Sequence, residues 1–325
     1  MQARRHTMKW LAGIGLALMA ATASAQTDAP YPNKPVRIIV PFSAGGGTDL
    51  MARTIAQKLT EVWRSSVIVE NRAGAGGIIG ADAVAKAPAD GYTVLIASTS
   101  TAINASLVAK PPYDMRRDLQ PVSVLITYPL IAVVQASSPV RSLQELVSNS
   151  RKSPLNAATA GTGTPQHLVL EMFKAATGAA LNGIPYKGGG PAVAGLLGAQ
   201  TDFMFSLSSE LLPHIKAGKL RALAVTSDTR LALLPEIATT TELGFPAVAT
   251  TGWNGLMVPT GTSRDIIAKM HADVTRIMAD EAMKARQVEI GNLPVTLSVA
   301  ETAAFIEIDV ERWRKVIRDA NIKPD

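Results

Sequence analysis

Short apolar runs alternate with amphipathic stretches along almost the whole 325-residue chain, and this alternation constrains the fold more than any other feature. Strands separated by helices give this pattern in α/β proteins with mainly parallel sheets. The sequence therefore predicts an α/β fold. The predicted strands are Val36–Val40, Val67–Val69, Thr93–Ala97, Leu130–Val134, Asn156–Thr159, Leu181–Pro185, Thr201–Phe205, Arg221–Thr226, Gly255–Val258 and Val295–Leu297. The predicted helices are Thr48–Val62, Gly76–Lys86, Leu143–Ser150, Pro165–Thr177, Gly190–Ala199, Glu210–Ala217, Arg264–Met278, Glu281–Val288 and Ala300–Asp319.

The number of predicted strands exceeds what a single core comfortably holds, so we expect two domains. No Gly/Ser-rich or Pro-rich linker separates them. The chain should therefore cross between the domains more than once, through strands near Val124–Thr127 and Thr250–Asn254. This predicts a discontinuous first domain, residues 26–126 with 250–325, and a second domain, residues 127–249.

Residues 1–25 have the pattern of a cleaved secretory signal peptide. Three cationic residues precede the apolar stretch Leu11–Ala21, and the small residues Ala23–Ala25 follow it. The apolar stretch is shorter than the roughly 20 residues that a membrane-spanning helix needs. We therefore expect cleavage after Ala25 and a protein of the periplasm.

Composition excludes several kinds of site. The chain has no cysteine, which removes disulfides, thiolate metal sites and cysteine nucleophiles. Three of its 32 basic residues and none of its 26 acidic residues lie in the predicted signal peptide, so the mature chain is only mildly basic. Basic residues are interspersed with acidic ones and aromatic residues are few, so we expect no nucleic-acid partner.

A glycine loop is the strongest functional motif. The apolar strand at Val36–Val40 leads into Ala44, three consecutive glycines (Gly45, Gly46 and Gly47), and a helix that opens at Thr48 and Asp49. Backbone N–H groups converge at such a junction, and the helix dipole favours a negative charge there. The loop is therefore a candidate anion site, although glycines that merely permit a tight turn would give the same pattern.

Nucleotide cofactors do not fit this loop. The dinucleotide pattern G-x-G-x-x-G fails at Leu50 for the first glycine loop and at Ile79 for a second loop, Gly74–Gly80. A Gly-Lys-Ser/Thr phosphate loop occurs nowhere in the chain. We expect no cofactor and no metal.

Two further loops follow later strands. Thr159–His167 joins a strand to a helix beginning at Pro165, and Tyr186–Ala192 joins the next strand to the next helix. Ligands of open α/β sheets bind at the carboxyl ends of strands. We expect the Thr162–Thr164 part of the first loop to face Ala44–Asp49 across a cleft.

Catalytic motifs are absent. No G-x-S-x-G or H-E-x-x-H motif occurs, and the three mature histidines lie far apart in the sequence. Asp202, beside an aromatic-rich strand, could bind a donor group of a ligand or brace a loop. Asp49 could complement its helix dipole, or it could take a cationic group of a ligand.

The chain resembles the substrate-binding proteins of tripartite tricarboxylate transporters, the Bug (TctC-like) extracytoplasmic solute receptors, from about Tyr31 to its end. The motifs that carry the resemblance are Tyr31–Phe42, Gly45–Asp49 with Ala52-Arg53, Val69–Arg72 with Gly74–Gly77, Asp90–Thr93, Tyr113-Asp114 with Pro121-Val122, Gly161–His167, Tyr186–Ala192, Leu197–Asp202, Gly218–Ser227 and Trp253–Leu256.

This resemblance implies a two-domain periplasmic-binding-protein fold of type II-like topology, with the ligand in a cleft between domains joined by crossing strands. It implies a small carboxylate ligand, such as a di- or tricarboxylate, an acidic amino acid or an aromatic acid, and a monomeric, non-enzymatic receptor that delivers the ligand to membrane permease subunits. A ligand sensor for a two-component system and an exported hydrolase or isomerase are the alternatives. The implied ligand-binding residues are Ala44, Gly45, Gly46, Gly47, Thr48, Asp49, Ser98, Thr99, Thr162, Gly163, Thr164, Asp202 and Ser206.

Overall fold

The computed structural model describes residues 31–323, so the predicted signal peptide lies outside the described residues. From Lys34 onward the chain forms one compact unit. Its strands are β1 (Val36–Val40), β2 (Val67–Asn71), β3 (Thr93–Ser98), β4 (Leu119–Gln135), β5 (Leu155–Thr159), β6 (Leu181–Pro185), β7 (Phe203–Leu207), β8 (Leu220–Val225), β9 (Thr251–Pro259) and β10 (Leu293–Pro294). Its α-helices are α1 (Gly47–Trp63), α2 (Ile78–Ala85), α3 (Thr99–Leu107), α4 (Met115–Asp118), α5 (Leu143–Lys152), α6 (Pro165–Thr177), α7 (Gly189–Leu197), α8 (Ser208–Lys216), α9 (Arg264–Ala279), α10 (Glu281–Glu289) and α11 (Val299–Asp319).

The strands form one mixed sheet in the order β2-β1-β3-β9-β4-β7-β5-β6, with β8 and β10 also paired to β4. Strand β1 pairs in parallel with β2 and β3, and β5 pairs in parallel with β6 and β7. All pairs that involve β4 or β9 are antiparallel. The α/β prediction is confirmed, but the sheet is less parallel than the strand–helix alternation indicated.

Strand β4 links the two halves of the sheet. Its first part pairs with β9 as far as Pro129, and from Leu130 onward it pairs with β7 and β8. The predicted crossing at Val124–Thr127 therefore lies inside β4, just before the strand changes partners. The hydroxyl of Thr226 ties this point together, because it accepts the Leu130 N–H (3.0 Å) and donates to the Thr250 carbonyl (2.6 Å).

Separate apolar clusters support the two halves. In the first half, helices α3 and α11 pack on β3, β4 and β9 around the buried indoles of Trp253 and Trp313. In the second half, one cluster centred on Phe173, Phe203 and Phe205 covers one face, and aliphatic residues of α7 and α8 cover the other. Helices thus pack against the strands of both halves of the sheet and hold them in position. Within residues 31–323, no helix is both long and apolar enough to cross a membrane.

Candidate functional site

Loops at the carboxyl ends of five strands build the candidate site. Strands β1, β3, β5, β6 and β7 each lead into a helix, namely α1, α3, α6, α7 and α8. The first turn of a helix has N–H groups without partners inside the helix. Five such turns near one another make a region rich in backbone donors.

The first turn of α1 has no side-chain cap of its own. Gly46 is the N-cap residue, and it has no side chain that could accept a hydrogen bond. The N–H of Gly47 instead donates to Oε1 of Glu210 at 2.8 Å. The hydroxyl of Thr48 accepts from the Asn254 amide at 3.3 Å. The first-turn amide is therefore bound by a carboxylate from a distant part of the chain, as expected of an anion site.

Asp49 faces its own loop and Arg53. Its carboxylate accepts the Gly45 N–H (3.0 Å), the Arg53 Nε–H (2.9 Å) and the Asn71 amide (2.8 Å). Burial alone would raise the pKa of Asp49, but these hydrogen bonds outweigh it and lower the pKa. The negative charge of Asp49 is thus satisfied by the loop it holds in shape.

Glu210 lies in the first turn of α8, and its carboxylate crosses to the N-terminus of α1. Besides the Gly47 N–H, it accepts the hydroxyl of Ser206 through Oε2 at 2.5 Å. Within residues 31–323 it makes no ion pair with a cation, and the residue as a whole is half-buried. Burial of the carboxylate raises its pKa, and the hydrogen bonds from Ser206 and Gly47 only partly offset this effect.

A second glycine loop encloses the Glu210 carboxylate from the other side. A Cβ atom at Gly189 would lie 2.0 Å from Oε1 of Glu210, and one at Gly46 would lie 3.2 Å from it. A Cβ atom at Gly190 would lie 3.3 Å from the Ala44 carbonyl oxygen. Only glycine allows backbone to approach this closely on both sides. The loop that directly faces Ala44–Gly47 is therefore Gly188–Gly190.

A small cavity remains beside this carboxylate. Its volume is about 20 Å³, enough for one ordered water molecule but far too small for a dicarboxylate. Ser98 also lines it, and its hydroxyl, which meets the Thr101 N–H in a capping box at the start of α3, has no acceptor for its own proton among the described residues. The lining residues are Phe42, Gly46, Thr48, Ser98, Ser100, Tyr128, Ala160, Thr164, Pro165, Gln166, Gly189, Leu207 and Glu210.

A third contact between loops closes the site at its edge. A Cβ atom at Gly76 would lie 1.9 Å from the Thr162 carbonyl oxygen. The Asn104 amide donates to the Gly76 carbonyl at 3.0 Å, and a Cβ atom at Gly163 would lie 2.1 Å from the Asn104 oxygen. The loops of the two sheet halves are thus in direct contact, and the site is closed.

The structure brings most of the predicted site residues together, in different roles. Gly46, Thr48, Ser98 and Thr164 line the cavity, and Ser206 reaches it through its hydrogen bond to Glu210. The remaining nearby predicted residues support the loops rather than line the cavity, namely Ala44, Gly45, Gly47, Asp49, Thr99, Thr162 and Gly163.

Asp202 lies outside this region. It precedes β7, whereas the site lies at the other end of that strand. Its exposed carboxylate accepts the N–H of Asn156 at 2.8 Å, which braces β5 against β7. Of the two roles considered from the sequence, the structure shows the brace.

Sequence reasoning missed Glu210, Tyr128 and Gln166. The loop that faces Ala44–Gly47 does have a sequence signal. Its run Gly188–Gly190 lies at a strand-to-helix junction, as Gly45–Gly47 does. Within residues 31–323, no group of three or more histidine, aspartate or glutamate side chains is placed to hold a metal ion.

Comparisons with known proteins identify the family of the chain. A family model described as tripartite tricarboxylate transporter family receptor matches residues 51–322. The chain is 39% identical to protein BugT of Bordetella pertussis over 318 residues, which cover 96% of this chain and 98% of BugT. It is similar to the structure of R. palustris Rpa4515 with adipate (TM-score 0.87, 33% identity, 91% of this chain and 100% of that chain). It is also similar to MatC (Rpa3494) from Rhodopseudomonas palustris with bound malate (TM-score 0.85, 28% identity, 88% of this chain and 100% of that chain).

Proposed function

Since the chain belongs to the tripartite tricarboxylate transporter receptor family, we propose that it captures a small carboxylate in the periplasm and delivers it to the membrane subunits of such a transporter. Related structures contain adipate and malate, which are both dicarboxylates. A di- or tricarboxylate, an acidic amino acid or an aromatic acid is the proposed solute class. The receptor acts as a monomer.

One observation carries the proposal. The amide of Gly47 holds a carboxylate oxygen at 2.8 Å, and that oxygen belongs to the protein's own Glu210. A carboxylate therefore fits the helix N-terminus with good hydrogen-bond geometry, without an arginine clamp. A solute carboxylate in the same place would find the same donor and, beside it, the Ser98 hydroxyl, whose proton has no acceptor among the described residues.

Closure of two domains around the solute is the proposed mechanism. We assign residues 26–126 with 250–325 to one domain and residues 127–249 to the other. The loop contacts Gly46–Gly190 and Gly76–Thr162 join the two, and the cavity of about 20 Å³ has room for only one water molecule. A solute must therefore enter an open form, in which β4 and β9 bend near Leu130 and Thr251. Closure then removes water and strengthens each hydrogen bond to the solute.

Calorimetric titration with adipate, malate, citrate, glutamate and benzoate tests this function. We expect at least one of these acids to bind the wild-type protein. In the variant Gly46→Leu the new side chain fills the place of the carboxylate, and affinity should fall by about 10- to 100-fold, as for the loss of a hydrogen bond to a charged group. Gly183→Leu is the matched control, because Gly183 is exposed on β6 and away from the cavity.

Binding of none of these acids by the wild-type protein would contradict the proposed function. The alternative result is that wild type and Gly46→Leu bind with equal affinity while circular dichroism shows that the variant is folded. That result would show that the solute carboxylate does not bind at α1.

A further inference from the structure

The carboxylate in the site belongs to the chain itself, and this has a consequence for solute selection. An acidic residue in the first turn of a helix ordinarily complements the dipole of that helix. Glu210 instead extends from α8 to the amide of Gly47 on α1, where a solute carboxylate would bind. It is a tethered competitor for the same donor.

A tether makes a competitor strong. The effective concentration of a group on a short flexible link is on the order of millimolar, and it rises when the group is held in place. The Glu210 carboxylate is held on both sides by the glycine loops Gly46–Gly47 and Gly188–Gly190. A free acid that offers only one carboxylate gains at Gly47 no more than Glu210 already does, so it competes poorly.

Glu210 is nevertheless replaceable. It is held by hydrogen bonds from Gly47 and Ser206, and no cation among residues 31–323 pairs with it. A buried carboxylate without a cation has lost much of its hydration energy, and it regains this energy when it returns to water. A solute that makes further contacts can therefore displace it.

Space for further contacts lies next to the cavity. Phe42 and Ala160 line both the cavity and a larger hollow of about 220 Å³. The glycine loop Gly74–Gly77 and Lys187 also line this hollow. Lys187 is exposed and makes no ion pair with any described residue, so a cationic group is available to a second polar group of the solute.

We propose that Glu210 determines which acids the site accepts. Its tethered carboxylate excludes simple monocarboxylates, and only a carboxylate solute with a second polar group displaces it. This inference rests on the proposed function and narrows its substrate class to acids with at least two polar groups. Glu210 acts here as a specificity-determining residue.

Hydrogen exchange of the solute-free protein tests the occupancy of the site without any ligand. In the wild-type protein we expect the amides of residues 46–48 to be protected, and in Glu210→Ala the protection should fall by about tenfold or more as the bound oxygen is lost. Glu210→Gln retains an acceptor of the same shape and should keep most of the protection. Glu171→Gln, which removes an acid on α6, should change nothing. Unchanged protection of residues 46–48 in Glu210→Ala would overturn the proposal.

Calorimetric titration with acetate and adipate tests the selection. We expect the wild type to bind adipate but not acetate at millimolar concentration, and Glu210→Ala to bind acetate measurably and adipate about tenfold more tightly. Equal affinities in the two proteins would overturn the proposal. Loss of adipate binding in Glu210→Ala would also overturn it, because Glu210 would then be a partner of the solute rather than a competitor.

The two tests separate this proposal from the proposed function. Failure of every dicarboxylate to bind either protein contradicts the function, while the exchange of the Gly47 amide still decides whether Glu210 occupies the site.

Discussion

Asp49 shows how an acidic residue can lie in the first turn of an anion-binding helix without repelling the anion. Its carboxylate is 2% exposed and is surrounded by donors from Gly45, Arg53 and Asn71. Its charge is therefore balanced by these donors, and the Gly47 amide remains available to another carboxylate. At the scale of single residues, two acids have separate roles: Asp49 holds the loop in shape, and Glu210 places its carboxylate at the Gly47 amide.

Replacing Asp49 with Asn should destabilise the protein. The variant keeps one oxygen but replaces the other with an NH2 group that cannot accept the hydrogen bonds from Gly45 and Arg53, and it loses the buried charge. We therefore expect a fall in the free energy of unfolding of about 2–3 kcal/mol at pH 7. Because the folded-state pKa of Asp49 is lowered, its contribution is present above the unfolded value near 3.8 and is lost as the pH falls through the folded value. Urea denaturation at several pH values measures this.

Asp90→Asn provides the comparison, because the partly exposed carboxylate of Asp90 pairs with exposed Lys34 and accepts only one backbone N–H, that of Tyr92, and exposed pairs contribute little. Similar losses in the two variants at pH 7 would show that Asp49 is not the brace of its loop.

Glu210 could not be found from the sequence for a physical reason. In Ser208-Ser209-Glu210 the acid lies in a helix first turn, where it is expected to complement its own dipole. Nothing local indicates that its carboxylate reaches Gly47, which lies 163 positions away in the sequence. The glycines at 45–47 identified the donor side correctly as a site for an anion, but tertiary contacts alone determine which anion fills it.

Two elements illustrate the limits at the scale of helices and strands. Helix α3 (Thr99–Leu107) was not predicted, because its Thr- and Ser-rich sequence has low helix propensity and no apolar period. Strand β4 was predicted in two separate pieces, a crossing near Val124–Thr127 and a strand at Leu130–Val134, and Pro121 and Pro129 argue against a continuous strand. In the structure the register of β4 against β9 shifts after Pro121, and β4 changes partners after Pro129. The long apolar strands and the periodic helices were predicted correctly, because the pattern of buried residues that determines them is visible in the sequence.

The contact between the loops at Gly76 and Thr162 should control closure. Gly76→Ala places a methyl group 1.9 Å from the Thr162 carbonyl oxygen, so the loops must separate. Gly178→Ala is a close match, since the two glycines have φ values of 59° and 64° but only Gly178 has free space around it. Both variants carry about 1–2 kcal/mol of left-handed backbone strain. Only Gly76→Ala should also bind adipate more weakly and have a larger radius of gyration in solution scattering.

If Gly178→Ala weakened binding as much as Gly76→Ala, the effect would come from backbone strain alone, and the loop contact would have no role in closure.

At the scale of the whole molecule, the two halves of the sheet are in contact through their loops. Loops from the two halves of the sheet meet at Gly46–Gly190 and at Gly76–Thr162, and the Glu210 carboxylate fills the space between the first pair. The closed form therefore buries an acid that the open form would expose. Closure, stability and the protonation of this acid are linked.

The linkage predicts how stability depends on pH. Burial raises the folded-state pKa of Glu210 above its ordinary value of 4.5, so the folded protein binds this proton more tightly than the unfolded chain does. The contribution of Glu210 to stability is therefore fully present below pH 4.5 and is lost as the pH rises through the raised folded value. Glu210→Gln, which resembles the protonated form, should match the wild type in acid and exceed its free energy of unfolding at pH 7 and above.

Neighbouring groups do not titrate in the pH range in which Glu210 loses its proton. Tyr128, which faces Glu210, has its pKa raised by burial and by the Glu210 charge, so it stays neutral. Asp49 on α1 has a lowered pKa and titrates below this range. Denaturant unfolding of wild type, Glu210→Gln and the control Glu171→Gln from pH 4 to 8 measures the difference. A constant difference between Glu210→Gln and the wild type across this range would show that Glu210 has the same pKa in the folded protein and in the unfolded chain, and that its place at the α1 amide carries no linkage to protons.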